Sequence, residues 1–82
     1  MHVTLATEAI EKECFRACTL YPKFHSAHEG YAVLLEEVEE LWDEVKKSPK
    51  KRDAALLRAE AIQVAAMALR FLIDVCENPA EE

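Results

Sequence analysis

The chain holds a single glycine, Gly30, and three prolines, Pro22, Pro49 and Pro79. So few backbone breakers exclude the closely spaced turns of an all-β domain and favour long helices. Uninterrupted hydrophobic runs are missing too. The most apolar stretch, 61–73, carries Gln63 and Arg70 and is too short to cross a bilayer, so no membrane partner is expected. Positive charge is scarce: 10 Lys and Arg face 16 Asp and Glu, a net charge of −6. That balance argues against a nucleic-acid polymer as partner. It leaves room for a nucleotide whose phosphates are bridged by a divalent cation. Cysteine is limited to Cys14, Cys18 and Cys76. An odd count without a signal-peptide pattern predicts free thiols and a cytoplasmic protein. Cys14 and Cys18 share a helix face, but no second pair or nearby His joins them, so they are expected to be small buried hydrophobes.

What is present is helical. The composition is 51% hydrophobic and 32% charged over 82 residues, which suits a single all-α domain spanning residues 1–82. A domain this small buries only roughly 60% of its unfolded-chain surface, and oligomerisation is a common remedy. The first helix is expected over about 4–20, with Leu5, Ile10, Cys14, Ala17, Cys18 and Tyr21 at helical spacing and Pro22 as its stop. Ser26 and Glu29 have the spacing of a capping box, predicting a second helix over about 27–47. Its apolar stripe is Tyr31, Leu34, Leu35, Val38, Leu41, Trp42 and Val45, with Trp42 expected in the core. The five cations of Lys46, Lys47, Lys50, Lys51 and Arg52 form a charged surface turn. Ser48-Pro49 then predicts an N-cap and first position for a third helix over about 50–77, stopped by Asn78-Pro79.

That third helix is apolar on every side, with 11 of 13 residues from Ala61 to Ile73 hydrophobic. Such a helix has to be covered all round. Two short partners in one chain cannot do this, so the expected fold is a three-helix protomer completing a helical bundle as a homodimer or tetramer.

Two sets of polar residues stand out against this background. Six acids lie between Glu36 and Glu44 with no Lys or Arg among them. Like charges at i,i+3 and i,i+4 destabilise a helix by a few tenths of a kcal/mol per pair, so the face calls for a cation or for plain solvation. On the third helix Glu60, Gln63, Arg70 and Asp74 lie on one stripe. That stripe reads either as a polar seam, with Arg70 and Asp74 paired, or as oxygen ligands facing Glu37 and Glu40. Carboxylate and amide oxygens without His or Cys suit a hard ion, Mg²⁺ or Mn²⁺.

The stretch Leu35-Glu36-Glu37-Val38-Glu39-Glu40-Leu41 resembles the first motif of the MazG-like, all-α nucleoside triphosphate pyrophosphohydrolases, two glutamates three apart on one helix. The family's second motif, Glu-x-x-Asp on the next helix, is matched by Glu60-Ala61-Ile62-Gln63, with Gln in place of Asp. The likeness runs over about residues 26–75 and is nearest to the short MazG-like proteins of phages and mobile elements. It implies Mg²⁺- or Mn²⁺-dependent hydrolysis of a nucleoside triphosphate to monophosphate and pyrophosphate, a nucleotide-pool house-cleaning reaction. Glu37, Glu40, Glu60 and Gln63 would hold the metal, and Glu37 or Glu40 would serve as base. Arg70, Lys46 and Lys47 match the family's phosphate contacts by type. Gln63 lacks the charge of Asp, which also makes a non-catalytic nucleotide- or metal-binding relative a reading of the same residues. A purely structural or regulatory helical oligomer is the third. His25 and His28 are read as surface histidines or part of a substrate rim.

Overall fold

The computed structural model describes residues 2–77 and contains three α-helices: α1 (Val3–Leu20), α2 (Ala27–Val45) and α3 (Ala54–Phe71). A π-helical turn, α4 (Leu72–Cys76), continues α3 without a break in direction of the chain. No strand occurs among the described residues. Among the described residues, no helix is long and apolar enough to cross a membrane. The proposed Asn78-Pro79 stop falls outside the described residues.

Each helix starts where a side chain can satisfy its free amides. His2 Nδ1 accepts from the Thr4 amide at 3.2 Å. Ser26 Oγ accepts from Glu29 N at 3.1 Å, as its spacing predicts, while Glu29 accepts from the His25 amide rather than from Ser26. The third start differs from the sequence expectation. Asp53, not Ser48, is the N-cap of α3, and its Oδ1 accepts from Ala55 N at 2.8 Å and Leu56 N at 3.2 Å. A helix begun at Lys50 would put Lys50, Lys51 and Arg52 in its first turn, against the positive end of the dipole. In the folded chain Arg52 instead caps the other helix: its Nε and Nη2 donate to the Val45 carbonyl at 3.1 and 2.6 Å. The basic block therefore closes α2 at Val45, two residues before the expected end.

Helix α3 packs against both α1 and α2, more extensively against α2. The core is small: Cys14, Ala17, Ala66 and Met67, with Val33, Leu34 and Leu69 against them. Ala17 and Ala66, 1% and 0% exposed, let α1 and α3 approach closely. Gly30 does the same between α2 and the Phe24 and Phe71 rings, since a Cβ there would lie 2.7 Å from Phe71 Cδ2. Much of the apolar surface stays outside. Only one edge of the α2 stripe, Leu34 and Leu41, turns inward, whereas Tyr31, Leu35, Val38, Trp42 and Val45 are exposed. Trp42, expected in the core, is 58% exposed. Its stripe is wider than the groove α3 offers, so half of it faces away. Cys14 is buried, but Cys18, one turn on, is exposed, contrary to expectation. Burial, with Cys18 beside it, pushes the Cys14 thiol up to about 11, so it acts as a packing group and not as a thiolate.

Candidate metal centre

Spacing of three along α2 puts Glu37 and Glu40 on one flank of that helix, the flank turned toward α3. Glu60 comes from the first half of α3, which runs back alongside α2. The three carboxylates converge: each offers an oxygen within 4.8 Å of the others. Glu37 and Glu60 are half-buried, and each has one oxygen, Oε2, that is shut from solvent and finds no hydrogen-bond partner among the described residues. Buried carboxylate oxygens without donors are costly. Burial first, then proton sharing with and repulsion from Glu40, pushes the Glu37 carboxyl up to about 7. Burial and the negative charge of Glu40 raise Glu60 as well. These three crowded carboxylates could hold a metal ion, and oxygen ligands alone suit a hard cation, which would supply the missing positive charge.

The shifts carry a testable sign. A carboxylate whose folded pKa is raised above the ordinary 4.5 favours the folded state while it can stay protonated. Its contribution is full below 4.5 and is lost as pH rises through about 7. The metal-free protein should thus lose melting temperature between those pH values, and Glu37→Gln should flatten the slope. With saturating Mg²⁺ the trend should reverse, because the ion binds the deprotonated set. Thermal melts across pH in EDTA and in Mg²⁺ check both arms.

The triad opens on a cavity of about 570 Å³ between α1, the α1–α2 connector and the α2–α3 pair, within the ~300–1,000 Å³ range of small-molecule sites. Its lining carries both signs of charge: Glu37, Glu40 and Glu60 with Glu13 and Glu29, and the cations Arg16, Lys23 and Arg70. Arg70 is 3% exposed. Its Nη2 donates to the Pro22 carbonyl at 3.0 Å, Nη1 lies 3.6 Å from Met67 Sδ, and the guanidinium sits 4.4 Å from the Phe24 ring centroid. Its Nε finds no hydrogen-bond partner among the described residues. Asp74 does not pair with Arg70 but accepts from the Phe24 amide at 3.1 Å. Arg70 and Asp74 are thus both spent on the connector, which they hold across the end of α3.

The sequence-derived residues divide accordingly. Glu37, Glu40 and Glu60 come together, and Gln63 and Arg70 line the same cavity. Lys46 and Lys47 do not: they bind Asp43 and Glu44 on the surface, both at 3.0 Å. His25 and His28 are exposed and outside the lining. Sequence reasoning missed Glu13, Arg16, Lys23 and Phe24 as wall residues. Glu13 and Arg16, an acid–base pair three apart on an otherwise half-apolar helix, were the one local signal. No protein-family model, curated protein or solved structure matches the chain.

Proposed function

We propose that the chain is a divalent-metal-dependent nucleoside triphosphate pyrophosphohydrolase of the MazG-like kind. The observation that carries this reading is the convergence of Glu37, Glu40 and Glu60, two of them with orphaned buried oxygens, on a cavity whose lining also includes Arg16 and Lys23. Mg²⁺ or Mn²⁺ held by the three carboxylates would neutralise phosphate charge and lower the pKa of a bound water. The chain's own groups do the rest. Arg16 and Lys23 on the cavity wall attract the polyphosphate, and a triad carboxylate, Glu37 or Glu40, takes the proton of the attacking water. One phosphorus–oxygen bond of the α–β bridge breaks, one forms to the water oxygen, and monophosphate and pyrophosphate leave. A panel of nucleoside triphosphates with Mg²⁺ or Mn²⁺, read for pyrophosphate, tests it. No pyrophosphate from any of them, with tight metal-dependent nucleotide binding retained, would instead make the chain a non-catalytic binder. The uncharged Gln63 favours that second reading.

The same reading includes self-association in the cytoplasm. Tyr31, Leu35, Val38, Trp42 and Val45 repeat at alternating four- and three-residue steps and stay exposed, the pattern of a helix–helix seam. Five large apolar groups in a row on one exposed face are the kind of patch that marks an interaction site. A second copy offers the identical seam. Light scattering at micromolar concentration should give at least a dimer, and Trp42→Glu should give a folded monomer. A monomeric wild type with full helicity would contradict the shared seam.

A further inference from the structure

The residue that departs from the family motif is committed elsewhere. Gln63 Nε2 donates to Glu13 Oε2 at 2.7 Å, linking α3 to α1 across 50 residues of sequence. The same Glu13 oxygen accepts from Arg16 Nη2 at 2.6 Å, and Oε1 accepts from Arg16 Nε at 2.9 Å. Glu13 is the shielded member, its side chain 16% exposed against 55% for Arg16. The Arg16 guanidinium holds the Glu13 carboxyl below its usual value, with Gln63 adding to the effect. All three residues line the cavity.

We propose that Gln63 is a positioning residue: its amide orients Glu13, which fixes Arg16 on the cavity wall as a contact for the phosphate groups of a bound anion. This deepens the reading of the site as one for metal and polyphosphate, and rests on it for the identity of the anion. Three arguments support the assignment. First, a guanidinium has five N–H donors, and Glu13 occupies two nitrogens of Arg16, leaving donors for a second acceptor. Second, Arg70 is turned toward Pro22, Met67 and Phe24, and Lys46 and Lys47 are bound outside, so Arg16 is the arginine left at the rim. Third, the position opposite Glu13 demands a neutral donor. An Asp at 63 would set two carboxylates face to face in a half-buried contact, which explains Gln there without any reference to the ion.

The test uses the full chain, with Mn²⁺ alone and inorganic pyrophosphate with Mg²⁺ as probes. Gln63→Asp should lower the melting temperature by several degrees, leave Mn²⁺ affinity no tighter, and weaken pyrophosphate about tenfold. The swap Glu13→Gln/Gln63→Asp should restore the melting temperature, since an amide again faces a carboxylate. It should not restore pyrophosphate affinity, because Arg16 has lost its carboxylate partner; a merely structural contact would recover both. Arg16→Gln should weaken pyrophosphate by a similar factor with Mn²⁺ binding unchanged. Tighter Mn²⁺ binding by a fully stable Gln63→Asp would place Gln63 at the ion and overturn the proposal, as would unchanged pyrophosphate binding by Arg16→Gln. A wild type that binds no Mn²⁺ overturns the metal reading alone. The relay is then decided by pyrophosphate binding without metal, which Arg16→Gln and the swapped variant should both weaken; unchanged binding by either refutes it.

Discussion

Glu40→Gln is expected to abolish the rise in melting temperature that Mg²⁺ produces and to cut pyrophosphate release by about 10²–10³-fold. The reasoning starts from crowding. Glu37, Glu40 and Glu60 lie within 4.8 Å of one another, and Glu40 contributes to the raised pKa of both others. An ion bound only to the folded state at a hundredfold excess over Kd stabilises by about 2.7 kcal/mol. For a domain of this size that is about 10–20 °C. Losing one of three charged ligands removes most of that gain. The metal-free variant should be as stable as wild type or more so, because a repulsive charge has gone. Thermal melts with and without Mg²⁺, beside a pyrophosphate assay, read both signs. An undiminished Mg²⁺ response in the variant would mean that the acidic face is only solvated.

Arg70→Met should lower stability by about 2 kcal/mol or more, through the loss of one charge-assisted hydrogen bond and one desolvated cation–π contact. That corresponds to a fall of about 8–16 °C in melting temperature. Methionine fills much of the same volume and needs no partners, so the loss is not a packing defect. What disappears is the tie from α3 to the Pro22 carbonyl and the Phe24 ring. Asp74 is left as a buried charge held by the Phe24 amide. Relief from desolving the guanidinium offsets part of the effect, which is why the figure stays below that for breaking a buried ion pair, about 3–5 kcal/mol. Urea denaturation gives the difference directly. An unchanged midpoint would show that the connector holds its place without Arg70.

Local chemistry made most of the fold legible. Pro22 ended α1, Ser26 began α2, and heptad-like spacing of apolar residues identified both as helices. The start of α3 was misread because two capping signals compete there. Ser48-Pro49 is a good pattern locally, yet only Asp53 leaves the basic block free, so that Arg52 can bind the last carbonyl of α2. That benefit spans two helices and cannot be seen from either alone. The exposure of Trp42 has a similar origin. Periodicity says which residues share a face, but not how much of a wide face the neighbouring helix will cover. In the site, Glu37, Glu40 and Glu60 could be grouped because two residues come from one helical turn and the third from the polar stripe of the next helix. Gln63 and Arg70 were expected at the site and line its cavity, but their partners were not readable, since Glu13 meets Gln63, and Arg70 meets Pro22, across about half the chain. Lys46 and Lys47 looked like phosphate contacts by charge alone, and the nearer acids Asp43 and Glu44 claim them.

The central claim is that three carboxylates from two helices hold one divalent ion. Calorimetric titration of Mn²⁺ into wild type and Glu60→Gln tests it most directly, because Glu60 alone joins α3 to the α2 pair. The account predicts one ion per protomer in wild type and an affinity at least about tenfold weaker in the variant, with both proteins equally helical. Equal binding by the two proteins, or none by wild type, would contradict it.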